Sequence, residues 1–278
     1  YLRRCLQEGS GIIRRRPEYA HPIVTMALAE TAALTQDREL LDQTVTAAKG
    51  IIAGQNSLGG FTYGYETGPD KETGKLRMDL SIGAWNCQAM ASVAMAGGDS
   101  PELQAAMNKA AECIITRFPA RNGFSYEPGA DWASPSMTAA GVYTLMLLGR
   151  GDAERVAMGL DRLLERDVVC RWRRDRDLRH MLYRWYYLTA AMFHGRDLKG
   201  GVKRWRNWQR TVVKELLDNQ RPDGSWASPN HEPLVADEDW DENNVEHRQD
   251  TAIYSTARSC LILETWFRYP PLGKVKRK

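Results

Sequence analysis

Twice in this chain an apolar helical run closes on the same device: a glutamine, a glycine turn four residues on, then an aromatic residue. The first copy is Gln55, Gly59, Gly60 and Phe61, and the second is Gln220, Gly224 and Trp226. A helix, a turn and an aromatic anchor that recur as a unit mark a repeat array, in which each unit buries its apolar face against its neighbour. That constrains the chain to stacked helices. Apolar positions elsewhere agree, since they recur at helical rather than alternating spacing almost throughout.

The helical segments fall into pairs of two kinds. Tyr19 to Leu34, Asp79 to Gly97, Ser134 to Gly149, Leu178 to His194 and Thr251 to Tyr269 are rich in small and apolar residues and poor in charge. Glu39 to Gly54, Pro101 to Phe118, Ala153 to Arg166 and Val202 to Gln220 carry a single apolar stripe. A helix apolar most of the way round is covered on all sides, whereas a striped one faces solvent. Strict alternation predicts an all-α fold, an α/α toroid of about five inner and outer helix pairs in one domain over residues 1–278. Residues 1–11 resemble the tail of a further outer helix, which leaves room for a missing N-terminal repeat.

Composition removes several classes. At 43% hydrophobic and 26% charged the chain is ordinary for a globular protein. A formal charge of +3 argues for no nucleic-acid partner. No apolar run approaches the ~20 residues of a membrane helix. Cys5, Cys87, Cys113, Cys170 and Cys260 stand singly in apolar contexts, and the five histidines lack ligand-like spacing, so neither a metal site nor a cofactor is expected. The chain opens on Tyr1 with no recognisable leader, so localisation, cytoplasmic or exported, stays open, as does oligomeric state.

The units Gln55 to Phe61 and Gln220 to Trp226 read QxxxGGF and QxxxGSW. They resemble the QW motifs of squalene-hopene and oxidosqualene cyclases and of protein prenyltransferase β subunits. Further markers are Glu18-Tyr19-Ala20-His21, Asp79-Leu80-Ser81 with Trp85, Tyr183-Arg184-Trp185-Tyr186-Tyr187, and Tyr254-Ser255-Thr256-Ala257. Together they resemble the bacterial prenyltransferase/squalene-oxidase-repeat proteins of the terpenoid cyclase superfamily. The resemblance implies a toroid, and it assigns Gln55, Phe61, Gln220 and Trp226 to lacing between helices. It does not extend to the cyclases' acid motif, DxDD followed by Thr-Ala. Here that stretch is Gln249-Asp250-Thr251-Ala252, with Gln249 where the proton donor would stand. The Asp, Cys and His set of the zinc prenyltransferases is also missing.

In a toroid the starts of the inner helices converge, so the polar and aromatic residues there are the site candidates. His21, Asp79, Tyr183 and Asp250 are the candidates for chemistry. Tyr19, Trp85, Trp132, Tyr186, Tyr187 and Tyr254 are the candidates for ligand contact. Three readings stay open. One is an isoprenoid binder with aromatic walls. Another is a carbohydrate-active toroid such as a polysaccharide lyase, with His21 or a tyrosine as base and Arg184 or Arg258 against a uronate. The third is a scaffold with no chemistry.

Overall fold

The computed structural model describes residues 17–163, 170–172, 181–227, 229 and 245–268, with backbone alone for 245–251 and 266–268. Among them are nine α-helices: α1 (Pro17–Thr35), α2 (Arg38–Ala53), α3 (Leu80–Val93), α4 (Pro101–Arg117), α5 (Pro135–Leu147), α6 (Glu154–Arg162), α7 (Met181–His194), α8 (Gly201–Asp218) and α9 (Val245–Arg268). The only strands among the described residues, β1 (Pro119–Ala120) and β2 (Gly123–Phe124), pair antiparallel. The fold is all-α, and no helix among the described residues is long and apolar enough to cross a membrane.

The helix starts follow from capping chemistry. Asp37, Ser100 and Ser134 each accept a bond from the backbone N–H three residues on, at 3.0, 3.1 and 3.0 Å. After both serines comes a proline, Pro101 or Pro135, at a helical position whose N–H would have had no intrahelical partner. Asp79 caps α3 in the same way. That helix ends in a π turn, Ala94–Gly98, where Gly97 takes φ 101°.

Burial separates the two helix types at α3, α5 and α7, whereas α1, expected to be covered all round, buries one side and leaves Ile23 and Leu34 exposed. Every residue of α3 and α7 is buried, as are Ser136 to Met146 of α5. Helix α2 buries one stripe (Leu40, Thr44, Ala47, Ala48, Ile51), and α8 buries Trp205, Trp208, Val212 and Leu216. The last helix differs from the sequence expectation of full cover. Ile253 is 67% exposed and Tyr254 45%, while Ser255, Arg258, Ser259, Ile262 and Thr265 form its buried side. Apart from Glu264, its described exposed positions are uncharged, so composition imitates a covered helix where the packing is one-sided.

The chain forms two compact units, Tyr1–Gly159 and Leu160–Lys278. In the first, α3 is the hub and packs against α1, α2, α4 and α5. In the second, α7 packs against α8 and α9, and indoles fill the space. Trp185 lies 6.0 Å from Trp172 and 6.5 Å from Trp208, whose Nε1 donates to Thr189 Oγ1 at 2.9 Å.

The glutamine devices act as ties. Gln55 Nε2 donates to Gly59 O at 3.1 Å and to Ala106 O of α4 at 3.0 Å, and Gln220 Nε2 donates to Gly224 O at 3.0 Å. Phe61 and Trp226 are buried. The ring N–H of Trp226 donates to Leu216 O of α8 at 2.8 Å, and its backbone N–H donates to Thr256 Oγ1 of α9 at 3.1 Å. In the first unit the Phe124 backbone N–H makes the equivalent bond to Thr138 Oγ1 of α5, at 3.2 Å. An aromatic residue after a turn is thus pinned to a following helix by a threonine in both units: Trp226 of the second glutamine device, and Phe124, which follows no glutamine, in the first.

Candidate functional site

The cap of α3 is the starting point for the site. Asp79 is buried, and its Oδ1 accepts from Ser81 N at 2.7 Å, Ile82 N at 3.2 Å and Ser81 Oγ at 2.7 Å. The Ser81 hydroxyl in turn meets the Tyr19 hydroxyl of α1 at 2.7 Å. Two further tyrosines stand above this pair. The Tyr63 and Tyr126 hydroxyls meet at 2.9 Å, with the rings 47% and 39% exposed, and Tyr63 packs edge-on to Tyr19 at 6.3 Å. The Tyr126 hydroxyl faces the Asp79 carboxylate, whose Oδ2 is buried and makes no hydrogen bond of regular geometry.

Backbone and buried polar groups fix the shelf in place. Leu80 N donates to Tyr126 O at 3.1 Å and Asp79 N to Phe61 O at 3.0 Å, tying both tyrosine loops to the start of α3. The turn Tyr63–Tyr65 carries Gly64 at φ 64° and Tyr65 at φ 57°. A tyrosine in the left-handed region is strained and persists only where its surroundings hold it. Here Gly64 N donates to buried Glu18 Oε2 at 3.3 Å, and Tyr65 donates to Asn86 Oδ1 at 2.6 Å. Asn86 Nδ2 in turn reaches Glu18 O at 3.3 Å and Ile82 O at 2.9 Å. Burial raises the Tyr19 and Tyr126 phenols far above the ordinary tyrosine value, and the Asp79 charge adds to it. Both stay protonated at neutral pH.

The other expected site residues divide between the units. His21 is wholly buried. Its Nε2 donates to Ala47 O of α2 at 2.9 Å and Nδ1 has no partner; burial lowers its pKa, so the ring is a neutral core element. Trp85 is buried in α3, and Trp132 is 71% exposed in the segment before α5. In the second unit the Tyr187 ring packs at a tilt against Tyr183 at 4.8 Å and edge-on against Tyr186 at 5.0 Å. The Arg258 guanidinium lies 5.6, 5.0 and 5.2 Å from the rings of Tyr183, Tyr186 and Tyr254. Arg258 and Arg184 are both buried, and burial brings Arg184 down to about 10. Asp250 lies in α9 where only the backbone is described. Of the ten candidates, then, Tyr19 and Asp79 are joined through Ser81 in the first unit, and in the second Tyr183, Tyr186 and Tyr187 pack together, with Tyr254 reached through Arg258.

Sequence reasoning missed Tyr63 and Tyr126, although a signal for them exists. Gly60-Phe61-Thr62-Tyr63 and Gly123-Phe124-Ser125-Tyr126 are the same four-residue unit. The repeat runs two residues past the aromatic anchor, and its terminal tyrosines meet. Beside Asp79, a cavity of about 10 Å³ lined also by Phe61, Leu80, Cys87 and Cys113 has room for about one water molecule. Among the described residues no three His, Cys, Asp or Glu side chains lie close enough to hold a metal ion. No protein-family model matches the chain, and no curated protein matches it.

Proposed function

We propose that this chain is a terpenoid-cyclase-like repeat protein built on an α/α toroid, and that it binds a ligand rather than transforming one. The binding surface in this reading is the shelf of Tyr19, Tyr63 and Tyr126 over Asp79. One observation carries it: the terminal tyrosines of two Gly-Phe-(Thr/Ser)-Tyr units meet, hydroxyl to hydroxyl and half-exposed, above a buried carboxylate. Exposed aromatic residues converging with polar groups are the usual material of a recognition site. The repeated glutamine ties support the toroid, because they lace helices as QW units do.

The shelf lacks the means for acid or base chemistry. A tyrosine that abstracts a proton needs a lowered pKa, whereas Tyr19 and Tyr126 are raised. His21 is enclosed and holds a backbone carbonyl. Asp79 Oδ1 is occupied as a helix cap.

The reading is tested with a glycan array and by extraction of co-purified lipid, each run on the native chain and on Tyr63→Phe/Tyr126→Phe. A ligand retained by the native chain and lost from the variant is the expected result. Turnover of that ligand, or retention that ignores both tyrosines, would overturn it. Small-angle scattering separates a closed ring from two tethered units.

A further inference from the structure

The hydroxyl protons of the shelf can be assigned one by one, and their direction says what it binds. A hydroxyl has one proton to give. Ser81 gives its proton to Asp79 Oδ1, so the 2.7 Å contact between Tyr19 and Ser81 must be donated by Tyr19. Either hydroxyl can donate in the 2.9 Å contact between Tyr63 and Tyr126, and the buried Asp79 charge close by favours donation by Tyr63, with the Tyr126 proton turned inward. Every proton runs toward the carboxylate. The phenol oxygens of Tyr19 and Tyr63 are left with lone pairs as the outer groups of the cluster.

Charge points the same way. Asp79 and Glu18 are 3% and 4% exposed, and neither has an ion-pair partner among the described residues. Two buried carboxylates without an ion-pair partner among the described residues leave a negative field around the shelf, and such a field attracts positive charge. We infer that this shelf binds a primary ammonium group, held by the outward lone pairs of Tyr63 and Tyr19 in the field of Asp79 and Glu18. This rests on the reading of the shelf as the binding surface.

The alternatives fit less well. An anion would meet a field of its own sign. A neutral sugar brings donors and acceptors in like number and leaves the charge uncompensated, and a quaternary ammonium has no N–H for the oxygens to accept. A divalent metal would lack a ligand set among the described residues.

The test titrates the full chain, by calorimetry or by NMR, with n-butylammonium, glucosamine, N-acetylglucosamine, glucose and choline. Glucosamine and its N-acetyl form differ chiefly in charge, and butylammonium against glucosamine separates a simple amine from an amino sugar. The expected order places both primary ammonium compounds at least about tenfold tighter than the other three, the range for a hydrogen bond that involves charge. Asp79→Asn keeps a good helix cap and removes the charge, so it should lose about tenfold toward the amines alone. Tyr63→Phe removes an exposed hydroxyl with no packing role and should weaken them as well. If N-acetylglucosamine binds as tightly as glucosamine and Tyr63→Phe still matters, the ammonium assignment falls while the shelf stands. If no probe binds and the glycan and lipid screens are also empty, both fall.

Discussion

Gly59 shows how much one residue of the repeat device carries. It takes φ 90°, and a methyl group on it would stand 2.3 Å from the Lys109 backbone carbonyl oxygen. Backbone cannot swing aside as a side chain can, so Gly59→Ala combines a left-handed alanine with a clash against α4. Gly74 also has positive φ, at 65°, but nothing lies within 4 Å of a methyl group there. Gly74→Ala should therefore cost only the conformational part, about 1 kcal/mol, while Gly59→Ala should cost about 3 kcal/mol or more. Urea denaturation of the two variants checks this, and equal midpoints would show that the contact with Lys109 is not what demands glycine. Gln55→Leu belongs to the same series. It removes two bonds, to Gly59 O and Ala106 O, and should cost about 1 to 2 kcal/mol.

At the scale of elements, the pin between an aromatic anchor and the next helix occurs once in each unit, but in different surroundings. Thr138 is buried in α5, and Gly123 beside it is glycine because a methyl group there would lie 2.3 Å from Thr138 Oγ1. Thr138→Val leaves the Phe124 N–H without its acceptor in a dry site and should cost about 1 to 3 kcal/mol. Thr256 of α9 is only partly buried, so water can replace its hydroxyl, and Thr256→Val should cost under about 1 kcal/mol. Chemical denaturation of both variants checks the difference, and the reverse order would refute the assignment of these threonines. These helices were legible in the sequence because their determinants are local: Ser100-Pro101 and Ser134-Pro135 starts, and the stripe of Trp205, Trp208, Val212 and Leu216. The one-sided burial of α9 was not legible, because Ile253 and Tyr254 face outward without charge. The meeting of Tyr63 with Tyr126 joins loops 63 residues apart, and only the doubled Gly-Phe-(Thr/Ser)-Tyr unit hinted at it. Periodicity reports which face of a helix is buried, not which loops converge at its end.

At the scale of the whole molecule, each unit encloses a histidine held neutral by burial, His21 in the first and His194 in the second. Desolvation lowers the pKa of His21 and pushes His194 down to about 4, with the nearby Arg196 adding to the second effect. In the unfolded chain both return to about 6.5. Between the two values the unfolded state binds a proton that the folded state refuses, so stability rises with pH across that window. The contribution is complete above about pH 6.5 and declines as pH falls. For His194 it is exhausted near pH 4, where the folded form also protonates. At about 1.4 kcal/mol per pH unit, the His194 part amounts to about 3 kcal/mol. Thermal melts of the full chain from pH 8 to pH 4 should show Tm falling below pH 6.5. His194→Phe should flatten that fall, and so should His21→Phe for whatever share the first unit contributes. A fall that begins only below pH 5 and ignores both substitutions would place the acid sensitivity elsewhere than on these two rings. The shelf and the cores separate in one set of variants: ammonium binding should follow Asp79→Asn and Tyr63→Phe, whereas the pH dependence of Tm above pH 5 should follow His194→Phe and His21→Phe.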